Sequence, residues 1–141
     1  MNKYLKYLIY IVLFVVGVYL ITKYVGDFST SVQFGRTDSV TISGPEKTSV
    51  TVRYSDIESL ELITVTDPGE VTDGGSGRRY YWGTWKNDAY GEYTMFVTKK
   101  ASKAILIRTV SGKIIVFNQD DDVTTENMYS MFTELLAHLS D

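Results

Sequence analysis

KAILIRTV at Lys103–Val110, the pair Ser111-Gly112 and KIIVFN at Lys113–Asn118 lead through Asp120-Asp121-Asp122 into VTTENMYSMFTELLAHL at Val123–Leu139. The first part is rich in β-branched residues, and its glycine-bearing pair marks a two-residue hairpin, so two paired strands are expected. The second part changes period. Met128, Met131, Phe132, Leu135, Leu136 and Leu139 fall at i, i+3, i+4, i+7, i+8 and i+11, which predicts one amphipathic helix over Val123–Leu139. The aspartates supply an N-cap and negative charge at the helix's positive end. They lack the alternating ligands and closing glutamate of a calcium loop, so no metal site is expected. Glu126 and Glu134 and the short length keep this helix out of a bilayer. Its expected work is to cover an open end of a sheet. Strands followed by one helix set the fold class.

Working back from there, the runs keep the period of strands. Asp38–Ser43 (DSVTIS) alternates with Val40 and Ile42 on one face, and Gly44-Pro45-Glu46-Lys47 is turn chemistry. Ser49–Tyr54 (SVTVRY) turns Val50, Val52 and Tyr54 inward, and Ser59–Thr66 (SLELITVT) does the same with Leu60, Leu62 and Val65. Asp67-Pro68-Gly69 breaks that run, and Val71–Arg79 reads as a glycine-rich loop. Tyr80–Trp85 and Glu92–Thr98 read as a strand pair joined through Lys86–Gly91. Seven strand-like runs at this spacing predict a mainly β domain, a seven-stranded antiparallel barrel or sandwich closed by its helix.

The N-terminal run Tyr4–Val25, YLKYLIYIVLFVVGVYLITKYV, has another character. Between Lys6 and Lys23 it carries no charge and no proline, and its backbone groups in hydrocarbon are satisfied by a helix. The uncharged core Tyr7–Thr22 falls a little short of the roughly 20 residues of a full span. Lys6 and Lys23 snorkel outward, and Tyr4, Tyr7, Tyr19 and Tyr24 suit the headgroup level. A single transmembrane anchor is expected. A cleaved signal peptide would need small residues soon after the apolar block, where Thr22-Lys23-Tyr24-Val25 stands. A buried core helix would show a polar face, and none exists. Lys3, Lys6 and the amine outweigh Lys23, which Asp27 soon follows, so the N-terminus is expected in the cytoplasm and the domain outside it. The chain divides into an anchor at 1–25, a linker at 26–36 and a domain at 37–141. Gly26–Arg36 reads as a tether, or as a segment that begins to order against the domain.

The whole chain has 141 residues, a formal net charge of −3 and no cysteine. With Lys3, Lys6 and Lys23 set aside, acidic residues clearly outnumber basic ones. Nucleic acid as a partner and broad adhesion to anionic lipid are therefore disfavoured. A disulfide framework and a thiolate metal site are excluded.

The step Val52-Arg53-Tyr54-Ser55-Asp56-Ile57 resembles the strand-then-Y-x-D-I step of bacterial PH-like (pleckstrin-homology-like) domains, a family often found beside transmembrane segments. Arg79, Gly83, Trp85, Tyr90-Gly91 and Tyr93 resemble that family's glycine–aromatic block. Gly112-Lys113, Val116-Phe117-Asn118 and the helix resemble its ending. The likeness runs over Ser39–Leu139 and implies a PH-like barrel capped by its helix. It does not imply a phosphoinositide ligand. The hairpin Gly44-Pro45-Glu46-Lys47-Thr48 has one lysine beside one glutamate, and a polyphosphate needs several converging donors.

No catalytic set is legible. His138 is the only histidine, and no cysteine or G-x-S-x-G partner accompanies it. Asp56, Glu58 and Glu61 alternate with core positions and read as solvated strand residues. Asp73-Gly74-Gly75-Ser76-Gly77-Arg78 lacks the ending of a P-loop. The chain is expected not to be an enzyme and to need no cofactor. The expected function is a membrane-anchored PH-like scaffold that contacts protein or envelope partners, a second copy of itself among them. The alternative is a small-ligand or glycan-binding module built on Arg78, Arg79, Trp82, Trp85, Lys86 and Tyr90. In that block rings beside cations would stack on a sugar or hold an anion. Tyr80 and Trp82 are expected on one face and Tyr81 and Trp85 on others. Ordinary barrel packing with arginines guarding an edge strand is preferred, since aromatics are the usual core filler of such folds.

Overall fold

The computed structural model describes residues 2–25, 30–36, 38–77 and 79–140. A helix, α1 (Lys3–Val25), opens the chain. Three strands follow as an antiparallel sheet, β1 (Ser31–Phe34), β2 (Ser39–Ser43) and β3 (Ser49–Arg53). A single 3₁₀ turn at Tyr54–Asp56 leads into β4 (Ile57–Thr64). Then come β5 (Glu70–Ser76), β6 (Tyr80–Asn87), β7 (Gly91–Thr98), β8 (Lys103–Thr109), β9 (Ile114–Phe117) and the helix α2 (Asp122–Leu139). The second sheet has the order β4-β8-β9-β7-β6-β5. The fold is thus mainly β, two sheets with a C-terminal helix, as expected.

Among the described residues, nine strands stand where seven were expected. One addition is β1, inside the segment read as a tether or as one that begins to order against the domain; it pairs with β2 from Ser31↔Ser43 to Phe34↔Val40. The other is β5, where the glycine-rich loop was expected. Gly74 of β5 sits opposite Gly83 of β6, and each leaves the other room. A Cβ on Gly83, whose φ is +97°, would lie 2.3 Å from the Asp73 carbonyl oxygen. Here glycine permits a strand because two backbones approach closely.

The hairpin after β8 also differs. Gly112 N donates to Thr109 O (3.0 Å) and Thr109 N to Lys113 O (3.0 Å), so the turn has three residues, with Gly112 at positive φ. The sheet is not wholly antiparallel. β9 lies between β8 and β7 and runs parallel to β7, pairing Thr94↔Ile115 through Phe96↔Phe117. Its composition suits this interior place. IIVF has no polar alternation, and all four side chains are buried. Only an interior strand with both faces covered satisfies such a run.

Both faces of the six-stranded sheet are in fact covered. On one, Tyr80, Phe96, Ile105, Ile107 and Phe117 meet Val40, Ile42, Val52 and Tyr54 of the first sheet and its turn, with Phe132 of α2. On the other, Trp85, Tyr93, Met95, Leu106 and Val116 form a second cluster. The connector 65–69 crosses that second face from β4 to β5, the two outermost strands. Six flat strands measure about 24 Å across, and the connector reaches about 21 Å, so the sheet must curl. Val65 N donates to Ser102 O at one end of the crossing (2.8 Å). Near the other, Tyr93 Oη donates to Pro68 O (2.7 Å) and Asn87 Nδ2 to Asp67 O (3.1 Å).

α2 starts on Asp121, whose carboxylate accepts from Thr124 N at 2.6 Å, the expected N-cap. Asp122 accepts from Ser102 N (2.8 Å) and Lys103 N (2.9 Å) and so pins the helix to the start of β8. The helix packs along β8 and β4, and its Phe132 is buried between the two sheets, as expected of a closing helix. α1 stands apart in character. Among the described residues, Lys3–Ile21 is the one stretch long and apolar enough to cross a membrane, and none of it is buried.

Candidate functional site

The aromatic–basic block divides between the two faces of the curled sheet. Tyr80 is buried in the first cluster and Trp82 packs beside it. Trp85 belongs to the second cluster, only 4% exposed, with Tyr81 and Tyr90 against it. The Trp85 indole donates to Trp82 O (3.0 Å) and meets Tyr81 edge-on at 5.1 Å. Tyr90 meets Tyr93 edge-on at 5.4 Å. Burial pushes the Tyr93 phenol up to about 12, with Tyr90 and Asp67 adding to it. Lys86 is exposed opposite Glu70 and Glu92 at the far end of β6. Arg79 is exposed at its near end, and its backbone carbonyl accepts from Lys99 N (2.8 Å). Arg78 lies outside the described residues. Among the described residues of the block, Trp82 and Trp85 pack in different clusters, and Arg79 and Lys86 stand at opposite ends of β6.

A cleft of about 190 Å³ lies under the connector, between Val65–Asp67 and Asn87–Tyr90, with Tyr93 and Met95 inside it. A larger groove, about 650 Å³, lies between the start of β4 and the C-terminal half of α2. One wall is Tyr54, Ile57 and Leu60, with Glu58 and Ser59; the other is Tyr129, Thr133, Leu136 and Leu139. Its position follows from two local features. Tyr54–Asp56 turns the chain sharply out of β3, so β4 starts clear of the first sheet. The apolar face of α2 is not fully covered, and Met131 and Leu139 are more than 40% exposed.

β4 pairs with β8 on one side and, among the described residues, has no strand on the other. Its outer backbone groups are therefore an open edge along the groove. Burial raises the Tyr54 phenol, whose hydroxyl donates to Gly35 O (2.7 Å) and fixes that wall. The groove was not legible in advance, because its walls lie some seventy residues apart in sequence. The available signal was the width of the helix's apolar stripe. Among the described residues, no group of three or more His, Asp or Glu side chains is placed to hold a metal ion. His138 is exposed in the last turn of α2, where a cation suits the helix dipole.

Two sheets, a C-terminal helix across one of them and a chain that turns through Tyr54–Asp56 define a PH-like domain. The family model for the bacterial PH domain matches residues 34–129, and the chain belongs to that family. No curated protein and no solved structure matches it. The family match stops at Tyr129, so the wall of the groove from Thr133 onward lies beyond it.

Proposed function

We propose that this chain is a non-enzymatic, membrane-anchored PH domain that holds an extended segment of a partner protein in the groove between β4 and α2. The open edge of β4 beside an apolar wall carries the reading. A segment added to that edge gains main-chain hydrogen bonds, and alternate side chains enter the groove. Leu60, Leu136 and Leu139 favour apolar side chains there, and Glu58 favours a basic residue. The bilayer supplies the anchor through α1. The glycan-binding alternative is set aside because Trp82 and Trp85 pack in different clusters.

The test is site-specific photo-crosslinking in cells from Glu58, with exposed Lys113 as the control position. A discrete protein adduct is expected from Glu58, absent from Lys113 and lost when Thr133→Arg and Leu139→Glu are introduced together. An adduct of twice the chain's mass would make the partner a second copy. Adducts from Glu58 that survive the double substitution, or none at all, overturn the proposal.

A further inference from the structure

We infer that the end of the domain carrying Thr30 rests on the headgroup layer of the bilayer that α1 spans. This rests on reading α1 as the anchor, and a leash carries it. α1 ends at Val25, and Thr30 is already fixed in the domain, 4% exposed. Its Oγ1 lies 2.6 Å from Tyr80 Oη and donates to Phe96 O at 3.0 Å. Its carbonyl accepts from Gln119 Nε2 at 3.2 Å. From Val25 to Thr30 the backbone reaches about 18 Å at full extension. α2 alone, 18 residues long, measures about 27 Å along the domain. The leash is shorter than the body it holds, so the domain cannot turn its far end to the membrane.

The register tells which surface shares the tethered end. Tyr80 pairs with Thr98, so the β5–β6 turn and the β7–β8 connection sit side by side there. They present Arg79, Lys99 and Lys100, all exposed. Lys99 Nζ donates to Gly77 O (3.2 Å) and lies 4.2 Å above the Tyr81 ring. Ser31↔Ser43 brings the β2–β3 turn, with Glu46 beside Lys47, to the same end. Of the acids here, Asp121 and Asp122 face the amides of Thr124, Ser102 and Lys103, and Asp120 lies close enough to Tyr80 to help raise its phenol. The partner is thus a phospholipid headgroup layer whose phosphates meet Arg79 and Lys99, with chain length rather than net charge setting the contact. The start of β4 and the end of α2 lie at the opposite end, so the groove opens away from the bilayer.

The chain has no cysteine, so single-cysteine reporters need no background removed. The full chain would be placed in nanodiscs of phosphatidylethanolamine and phosphatidylglycerol, with a fluorophore at Gly77→Cys, Lys47→Cys, Leu139→Cys or Phe14→Cys. Headgroup nitroxides should quench the labels at 77 and 47 severalfold more than the label at 139. Acyl-chain nitroxides should quench the label at 14. Quenching at 14 with equal quenching at 77 and 139 overturns the inference alone. No quenching at 14 overturns the anchor reading and this inference with it.

Discussion

Asn118 is fully buried where three strands meet, and it has no apolar substitute. Its Oδ1 accepts from Thr98 N at 2.8 Å, and its Nδ2 donates to Thr98 O (3.1 Å) and Lys103 O (3.3 Å). β9 has just ended, so the last residue of β7 and the first of β8 have lost the strand between them. The amide stands in for that missing backbone. Truncation to Ala leaves a buried N–H and two carbonyls without this partner, which costs about 2–4 kcal/mol. Urea unfolding of Asn118→Ala should show that loss. Asn118→Asp should fare no better at neutral pH, since a carboxylate cannot donate to either carbonyl. A loss under about 1 kcal/mol in Asn118→Ala would mean that water replaces the amide.

At the scale of the elements, the attachment of α2 depends on pH through the two aspartates at its start. The Asp122 carboxyl is held below the usual carboxylate range, first by the Lys103 backbone amide, then by the Ser102 hydroxyl and amide. Asp121 is lowered too, chiefly by the Thr124 backbone amide. Both folded values lie below the unfolded ones. Their stabilisation is therefore present above the unfolded pKa of 3.8 and is lost as pH falls through the folded values. The urea midpoint should drop between about pH 5 and pH 2, and the drop should be shallower in Asp122→Asn. Equal pH dependence in the two proteins would refute that role.

This helix and its cap were legible in the sequence because period and N-cap are local signals. The alternating strands β2 and β3 were legible for the same reason. β5 was not, because Gly74 and Gly75 weaken any strand reading until Gly83 is seen across from Gly74. The place of β9 was hidden as well. Its apolar run announces an interior strand but not which neighbours it separates. Packing is the preferred reading of the aromatic block, but the sequence alone does not say that both faces of its sheet are covered. Both faces are covered, so Trp82 and Trp85 went inside in opposite directions.

At the scale of the whole molecule, Thr30 and β1 are already bonded into the domain, ahead of the first alternating strand. Thr30 bonds to Tyr80 and Phe96, β1 lines the edge of β2, and Phe34 meets the buried Phe132 ring edge-on at 5.1 Å. Val32 packs on the same cluster. A chain starting at Thr30 keeps all of these, and it should unfold cooperatively without detergent. A chain starting at Asp38, near the boundary that alternation alone marks, loses them together. It bares the edge of β2, leaves Tyr80 Oη without Thr30 and opens space beside Phe132. Removing two packed apolar side chains costs about 3 kcal/mol or more. For a domain of this size that lowers the melting temperature by about 10–20 °C. An exposed β2 edge should add a tendency to associate. Calorimetry of the two fragments decides the matter. Equal melting temperatures would make β1 a passenger and return the boundary to the start of β2, and the leash to the membrane would then be longer by the same stretch of chain.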